Sequence, residues 1–103
     1  MEWMFWRGPG PRKLPGTVRR DLVAQFRIDP DRVAGLRYLE RRGAFAGRPV
    51  RLVRIFDPAI GSMDLTAIKH FEQLEERSVL FEGWLEMNGT PCLKDVRHSV
   101  HAR

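Results

Sequence analysis

The sequence predicts an α+β fold in which two β-hairpins form one antiparallel sheet with helices on one of its faces. Three observations carry this expectation. Ala46-Gly47 separates two strand-like runs, Asn88-Gly89 separates two more, and an apolar stripe at helical spacing precedes each pair. The resulting order is helix, hairpin, helix, hairpin, a two-layer arrangement in which one sheet face buries the helices.

With 103 residues, 43% hydrophobic and 30% charged, the chain has material for one modest core and not for two. Residues 17–103 are therefore read as a single small α+β domain, preceded by an extended arm at residues 1–16. The arm mixes Trp3, Phe5 and Trp6 with Gly8, Pro9, Gly10, Pro11 and Pro15, which forbid a regular helix. Its aromatic rings need cover from the domain or a second subunit, so Trp3 and Trp6 are candidate interaction residues.

From Thr17, a candidate cap, Val18, Leu22 and Phe26 recur every four residues and form one apolar stripe. Ile28-Asp29-Pro30 ends this helix, because a residue before proline avoids the helical region. Residues 36–45 and 48–56 then read as antiparallel strands joined at Ala46-Gly47. The second of them, Val50-Arg51-Leu52-Val53-Arg54-Ile55-Phe56, is dense in β-branched residues and stops at Asp57-Pro58.

A second reading makes residues 31–42 a helix, with Val33, Leu36 and Leu39 on one side, between the Thr17 helix and a wing. That arrangement resembles a winged helix-turn-helix, which implies nucleic-acid binding by a helix in the DNA major groove. The chain departs from that family's pattern at Arg27, where a turn glycine is usual, and Gly35 weakens a helix there. An internal echo favours strands: Ala46-Gly47-Arg48-Pro49-Val50 parallels Asn88-Gly89-Thr90-Pro91-Cys92. The second copy reads as a hairpin, with residues 79–87 and 90–98 as its arms.

Between the hairpins Leu65, Ile68, Phe71 and Leu74 recur every three residues, which is read as an amphipathic helix capped by Ser62 or Asp64.

A two-residue turn at Ala46-Gly47 pairs Leu39 with Arg54, Arg41 with Leu52 and Arg37 with Phe56. One face then carries Arg37, Arg41 and Arg54 beside Leu39, Leu52 and Phe56. The other carries Leu36, Tyr38, Val53 and Ile55, the cleaner core set. The same construction at Asn88-Gly89 groups Val79, Phe81, Leu85, Met87, Cys92 and Val96 as core. It leaves Glu82, Trp84, Glu86, Leu93 and Asp95 outside, with Glu82 directly across from Asp95. Like charges so opposed call for a register shift or a bridging cation, and an arginine of the basic hairpin is the simplest bridge.

The net charge of +5 is uneven: residues 1–54 carry 13 basic and 5 acidic side chains, and residues 55–103 carry 5 and 8. Fifteen of the 18 basic residues are arginine, whose planar fork suits phosphate and carboxylate. Arg37, Arg41, Arg48 and Arg54 are accordingly the candidate contacts to an anionic partner such as nucleic acid. Trp84, Leu93, Glu82 and Asp95, with Trp3 and Trp6, form the candidate interaction surface, which a homodimer would bury.

Cys92 alone makes neither an intrachain disulfide nor, within one chain, a thiolate cage, the apolar runs are too short for a membrane span, and Met1 to Gly10 lacks a signal peptide's apolar core, so a cytoplasmic chain is expected. His98, His101 and Cys92 suggest a metal only weakly, so no metal and no cofactor is expected, and no small-molecule substrate is inferred. No triad, phosphate loop or metalloprotease motif occurs. An enzyme built on Glu82 and Asp95 is the least favoured reading. The sequence therefore points to a small basic, non-enzymatic interaction module that self-associates and binds an anionic partner. A winged-helix nucleic-acid-binding protein is the alternative.

Overall fold

Strand-forming runs and tight turns bring five strands into one antiparallel sheet: β1 (Arg12–Lys13), β2 (Arg37–Phe45), β3 (Arg48–Phe56), β4 (Val79–Leu85) and β5 (Pro91–Asp95). Neighbours in sequence are neighbours in space throughout, in the order β1-β2-β3-β4-β5. The computed structural model of the chain describes residues 10–97. The helices α1 (Gly16–Ala24) and α2 (Pro30–Gly35) precede β2 and pack on one sheet face.

The first hairpin has the predicted register. Ala46 and Gly47 take φ of 52° and 78°, the left-handed pair whose twist suits a two-residue connection. Leu39 consequently faces Arg54, Arg41 faces Leu52 and Arg37 faces Phe56. Because Arg37–Phe45 is a strand, the recognition helix expected from the winged-helix resemblance over residues 31–42 does not form; only Pro30–Gly35 is helical. Asp29 caps that short helix by accepting from the Asp31 amide at 2.8 Å, with Pro30 pre-set in its first turn.

Helix α1 starts one residue before Thr17, whose hydroxyl donates instead to the Gly89 carbonyl at 3.2 Å. Val18 and Leu22 are buried as predicted. Arg27 takes φ of 60° beyond the helix end, so an arginine occupies the left-handed position where glycine is favoured. With Leu14, Ile28, Val33 and Leu36, the helices cover Tyr38, Val53, Ile55, Leu80, Phe81 and Leu85. The Phe26 and Phe81 rings meet there at 4.9 Å.

The expected second helix is absent, and the order helix, hairpin, helix, hairpin is corrected accordingly. Residues 57–78 run as turns, with 3-10 segments at Phe71–Gln73 and Glu76–Ser78. An α-helix advances about 100° per residue, so residues three apart drift by about 60° each time and Leu65 and Leu74 would face opposite ways. Spacing of three fits 3-10 geometry and turns. The apolar residues still reach a core: Ile68, Phe71 and Leu74 cover Leu39, Phe56, Val79 and Val96 on the sheet face away from the helices. Side chains hold this cover. Asp57 and Asp64 accept from the Ala59 and Thr66 amides at 3.0 Å each. The Thr66 hydroxyl and amide keep the Asp64 carboxyl below its ordinary pKa.

The second hairpin departs from the expected register by one residue. The Glu86 amide donates to the Thr90 carbonyl at 2.9 Å and the Gly89 amide to the Glu86 carbonyl at 2.8 Å, so Met87, Asn88 and Gly89 form a three-residue loop. Gly89 takes the left-handed position, φ 89°. Glu82 therefore faces Lys94, and Phe81 faces Asp95. One residue of offset turns every β5 side chain to the other face. Leu93 packs against the helix-side core, while Cys92, expected in the core, is exposed, as is Met87 at 73%.

A register shift between Ile55 and Phe56 corrects β4 as well. Ile55 faces Phe81 but Phe56 faces Val79, which leaves Leu80 as the extra residue of a bulge. Val79 thus joins the cover-side core, while Leu80 and Phe81, adjacent in sequence, both join the helix-side core. Among the described residues, no helix is long and apolar enough to cross a membrane.

Candidate ligand-binding face

The cover of residues 57–78 reaches only part of its sheet face: it buries Leu39 and leaves open the rest of two cross-strand rows beside it. One row runs Arg41, Leu52, Trp84 and Cys92 from β2 to β5; the next runs Leu39, Arg54, Glu82 and Lys94. Together with Phe71 these side chains, Leu39 apart, border a shallow depression of about 540 Å³. Strand alternation puts every second residue on this face, and register decides which residues become lateral neighbours.

Phe71 anchors the cations. Its buried ring lies 4.9 Å from the Arg41 guanidinium carbon and 5.5 Å from that of Arg54, and its carbonyl accepts from Arg54 Nη1 at 3.4 Å. Arg41 also pairs with Glu72 at 3.4 Å and Arg54 with Glu82 at 3.3 Å. The bridging arginine expected beside Glu82 is therefore Arg54, although the opposed acid that motivated it is elsewhere. Asp95 instead holds Arg97 through two side-chain hydrogen bonds, at 3.0 and 2.6 Å, which raise the arginine's pKa. Lys94 lies across from Glu82, on the sheet face opposite to that of Asp95.

At the far end of the depression the first hairpin's tip meets β4. Phe45, 44% exposed, stacks on Trp84 with ring centroids 4.0 Å apart and planes 22° from parallel. The Trp84 indole N–H donates to Glu86 Oε2 at 2.7 Å, Arg48 pairs with the same carboxylate at 3.2 Å, and its guanidinium lies over Phe45. These contacts fix the ring planes without help from a ligand. Two close approaches shape the floor. A methyl on Gly43 would meet the Leu52 side chain at 2.5 Å, and one on Gly83 would overlap the Cys92 carbonyl oxygen of the main chain.

Of the arginines proposed from sequence, Arg41 and Arg54 border the depression and Arg48 sits at its aromatic end. Arg37 does not join them: it donates to the carbonyls of Ala34 and Leu36 at 3.2 and 2.9 Å, tying off the end of α2. Glu82 and Trp84 belong to the site. Leu93 borders it while packing toward the opposite core, and Asp95 lies outside it. Trp3, Trp6, His98 and His101 fall outside the described residues. Phe45, Phe71 and Lys94 were not assigned to a site by sequence reasoning. The register of β5 is the signal that would have found Lys94, and Phe45 stands at the turn next to Arg48.

Comparison of the chain with protein-family models, with curated proteins and with solved structures finds no match.

Proposed function

We propose that the chain is a small non-enzymatic interaction module that holds an anionic partner on the uncovered part of its sheet. The observation that carries this reading is the convergence of Arg41, Arg54 and Lys94 on one depression, with both arginines laid against the Phe71 ring. The Arg41–Glu72 pair is solvent-exposed and the Arg54–Glu82 pair is half-buried with both side chains reaching water. Such pairs contribute about 0–1 kcal/mol, so a partner's phosphate or carboxylate groups can replace them at little cost.

The test is a binding titration with a labelled polyanion at two salt concentrations. Binding at low salt that weakens steeply as salt rises is expected, as is a loss of about tenfold or more on Arg41→Gln/Arg54→Gln/Lys94→Gln. Absence of binding at low salt rejects the reading.

A second reading, self-association through the same region, is favoured by the exposed Phe45 and Met87 and by the alternating charges of Arg54, Glu82 and Lys94. Two copies related by a twofold axis could set these charges against one another. Light scattering over a range of concentrations checks it, and a monomer at every concentration excludes it.

A further inference from the structure

We infer that the anionic partner is a single-stranded nucleic acid, with unpaired bases stacking at Phe45 and Trp84 while phosphates meet Arg41, Arg54 and Lys94. This rests on the reading of the depression as an anion-binding face. It adds the chemical class of what binds there.

The aromatic pair is what distinguishes a nucleic acid from other anions. A polyanion without rings needs only the cations, and it leaves Phe45 exposed in water. A strand with unstacked bases covers that surface as well, because every base has a π-face that an aromatic side chain accepts. The spacing also agrees. Leu52 and Arg54, and likewise Cys92 and Lys94, are two residues apart along their strands, so Arg54 and Lys94 lie in a row roughly 7 Å from that of Trp84, while Arg41 stands in the row of Trp84 itself. The distance between the rows is the reach from a base to the phosphate of its own nucleotide.

Duplex nucleic acid fits less well. Its bases are stacked on one another inside the helix, and reading their edges requires an element that enters a groove. The exposed face here is a concave patch of sheet beside a loop cover, with Trp84 in its floor. An unpaired base can reach that floor, whereas a duplex would touch only the rim. The platform also stands ready before binding: Glu86 fixes the indole, Phe45 backs one side of it with Arg48 laid over the phenyl ring, and the indole surface that borders the depression is left for a base. Little side-chain ordering is left to oppose association.

The experiment compares three labelled or competing probes on the full chain at two salt concentrations: a single-stranded homopolymer oligonucleotide, a duplex of equal length, and inorganic polyphosphate. Anisotropy is the primary readout. Trp84 fluorescence is the second, measured with Trp3→Phe and Trp6→Phe so that Trp84 is the remaining tryptophan of the three. The single strand should bind about tenfold or more tighter than either other probe and quench Trp84. Phe45→Ala should weaken the single strand about tenfold and leave polyphosphate unchanged. Phe45→Leu, which keeps apolar cover but no ring, guards against a folding defect and should lose the same preference.

Polyphosphate or duplex binding as tightly as the single strand, or single-strand binding without quenching, overturns this inference and leaves the anion-binding reading standing. No binding by any probe at low salt removes both.

Discussion

The two hairpins share a turn glycine followed at the second position by proline, yet they close differently. Ala46-Gly47 closes on two residues, both with positive φ, whereas Met87-Asn88-Gly89 closes on three, with Gly89 in the left-handed state. The outcome is opposite for the strands that follow. After the first turn, Arg54 lands on the ligand-facing side as alternation from the turn predicts. After the second, Cys92 and Lys94 land there in place of Leu93 and Asp95. Loop length, rather than strand composition, decided whether a lysine or an aspartate faces the depression.

The comparison can be broken most severely at Gly83, where β5 passes so close that no side chain fits. Gly83→Ala should detach β5 or force β4 to buckle, at a cost of about 3 kcal/mol, with urea unfolding as the measurement. The first hairpin has no equivalent constraint along its shared edge with β4.

A smaller effect tests the turn itself. Gly89→Ala forces a side chain into the left-handed state and should cost about 1–2 kcal/mol in the same assay. Deleting Met87 should cost less than that. Asn88-Gly89 would then close on two residues with Glu86 still facing Thr90, so the register of β5 is retained. Cys92 should stay reactive toward an exposed-thiol reagent; its protection would mean that β5 had turned over.

Smallest of all should be Arg77→Gln in the cover. The Arg77–Glu75 pair, 3.0 Å apart, has both partners well exposed. Its loss should change stability by about 0.5 kcal/mol or less, measured by thermal unfolding.

The fold class was legible because Ala46-Gly47 and Asn88-Gly89 announce turns and the flanking runs suit strands. The register of β2 against β3 followed from reading Ala46-Gly47 as a two-residue turn, which is how it closes. Three features were not legible. Asn-Gly serves two-residue and three-residue loops alike, so the face of Lys94 could not be read. The run Val79-Leu80-Phe81 carries no mark of a bulge, because all three residues are apolar whichever core they enter. Leu65, Ile68, Phe71 and Leu74 signalled burial correctly but not conformation, since turns bury residues as effectively as a helix does.

For the site, Arg41, Arg54, Glu82 and Trp84 came through because each lies in β3 or β4 or is fixed by the first turn. Arg37 looked equivalent to Arg41 by alternation, but it sits two residues after the end of α2, where free carbonyls claim it.

The two sides of the sheet are roofed by different materials. The helical roof is closed by main-chain bonds that repeat at every turn, while residues 57–78 are pinned by separate aspartate, glutamine and serine contacts. Contacts of that kind can be released a few at a time, so this roof should lift at a lower free energy than global unfolding. The area of sheet open to a ligand is then a variable: each partial opening around Ile68 and Phe71 would extend the binding floor toward Leu39 and Phe56 and loosen the hold on Arg41 and Arg54.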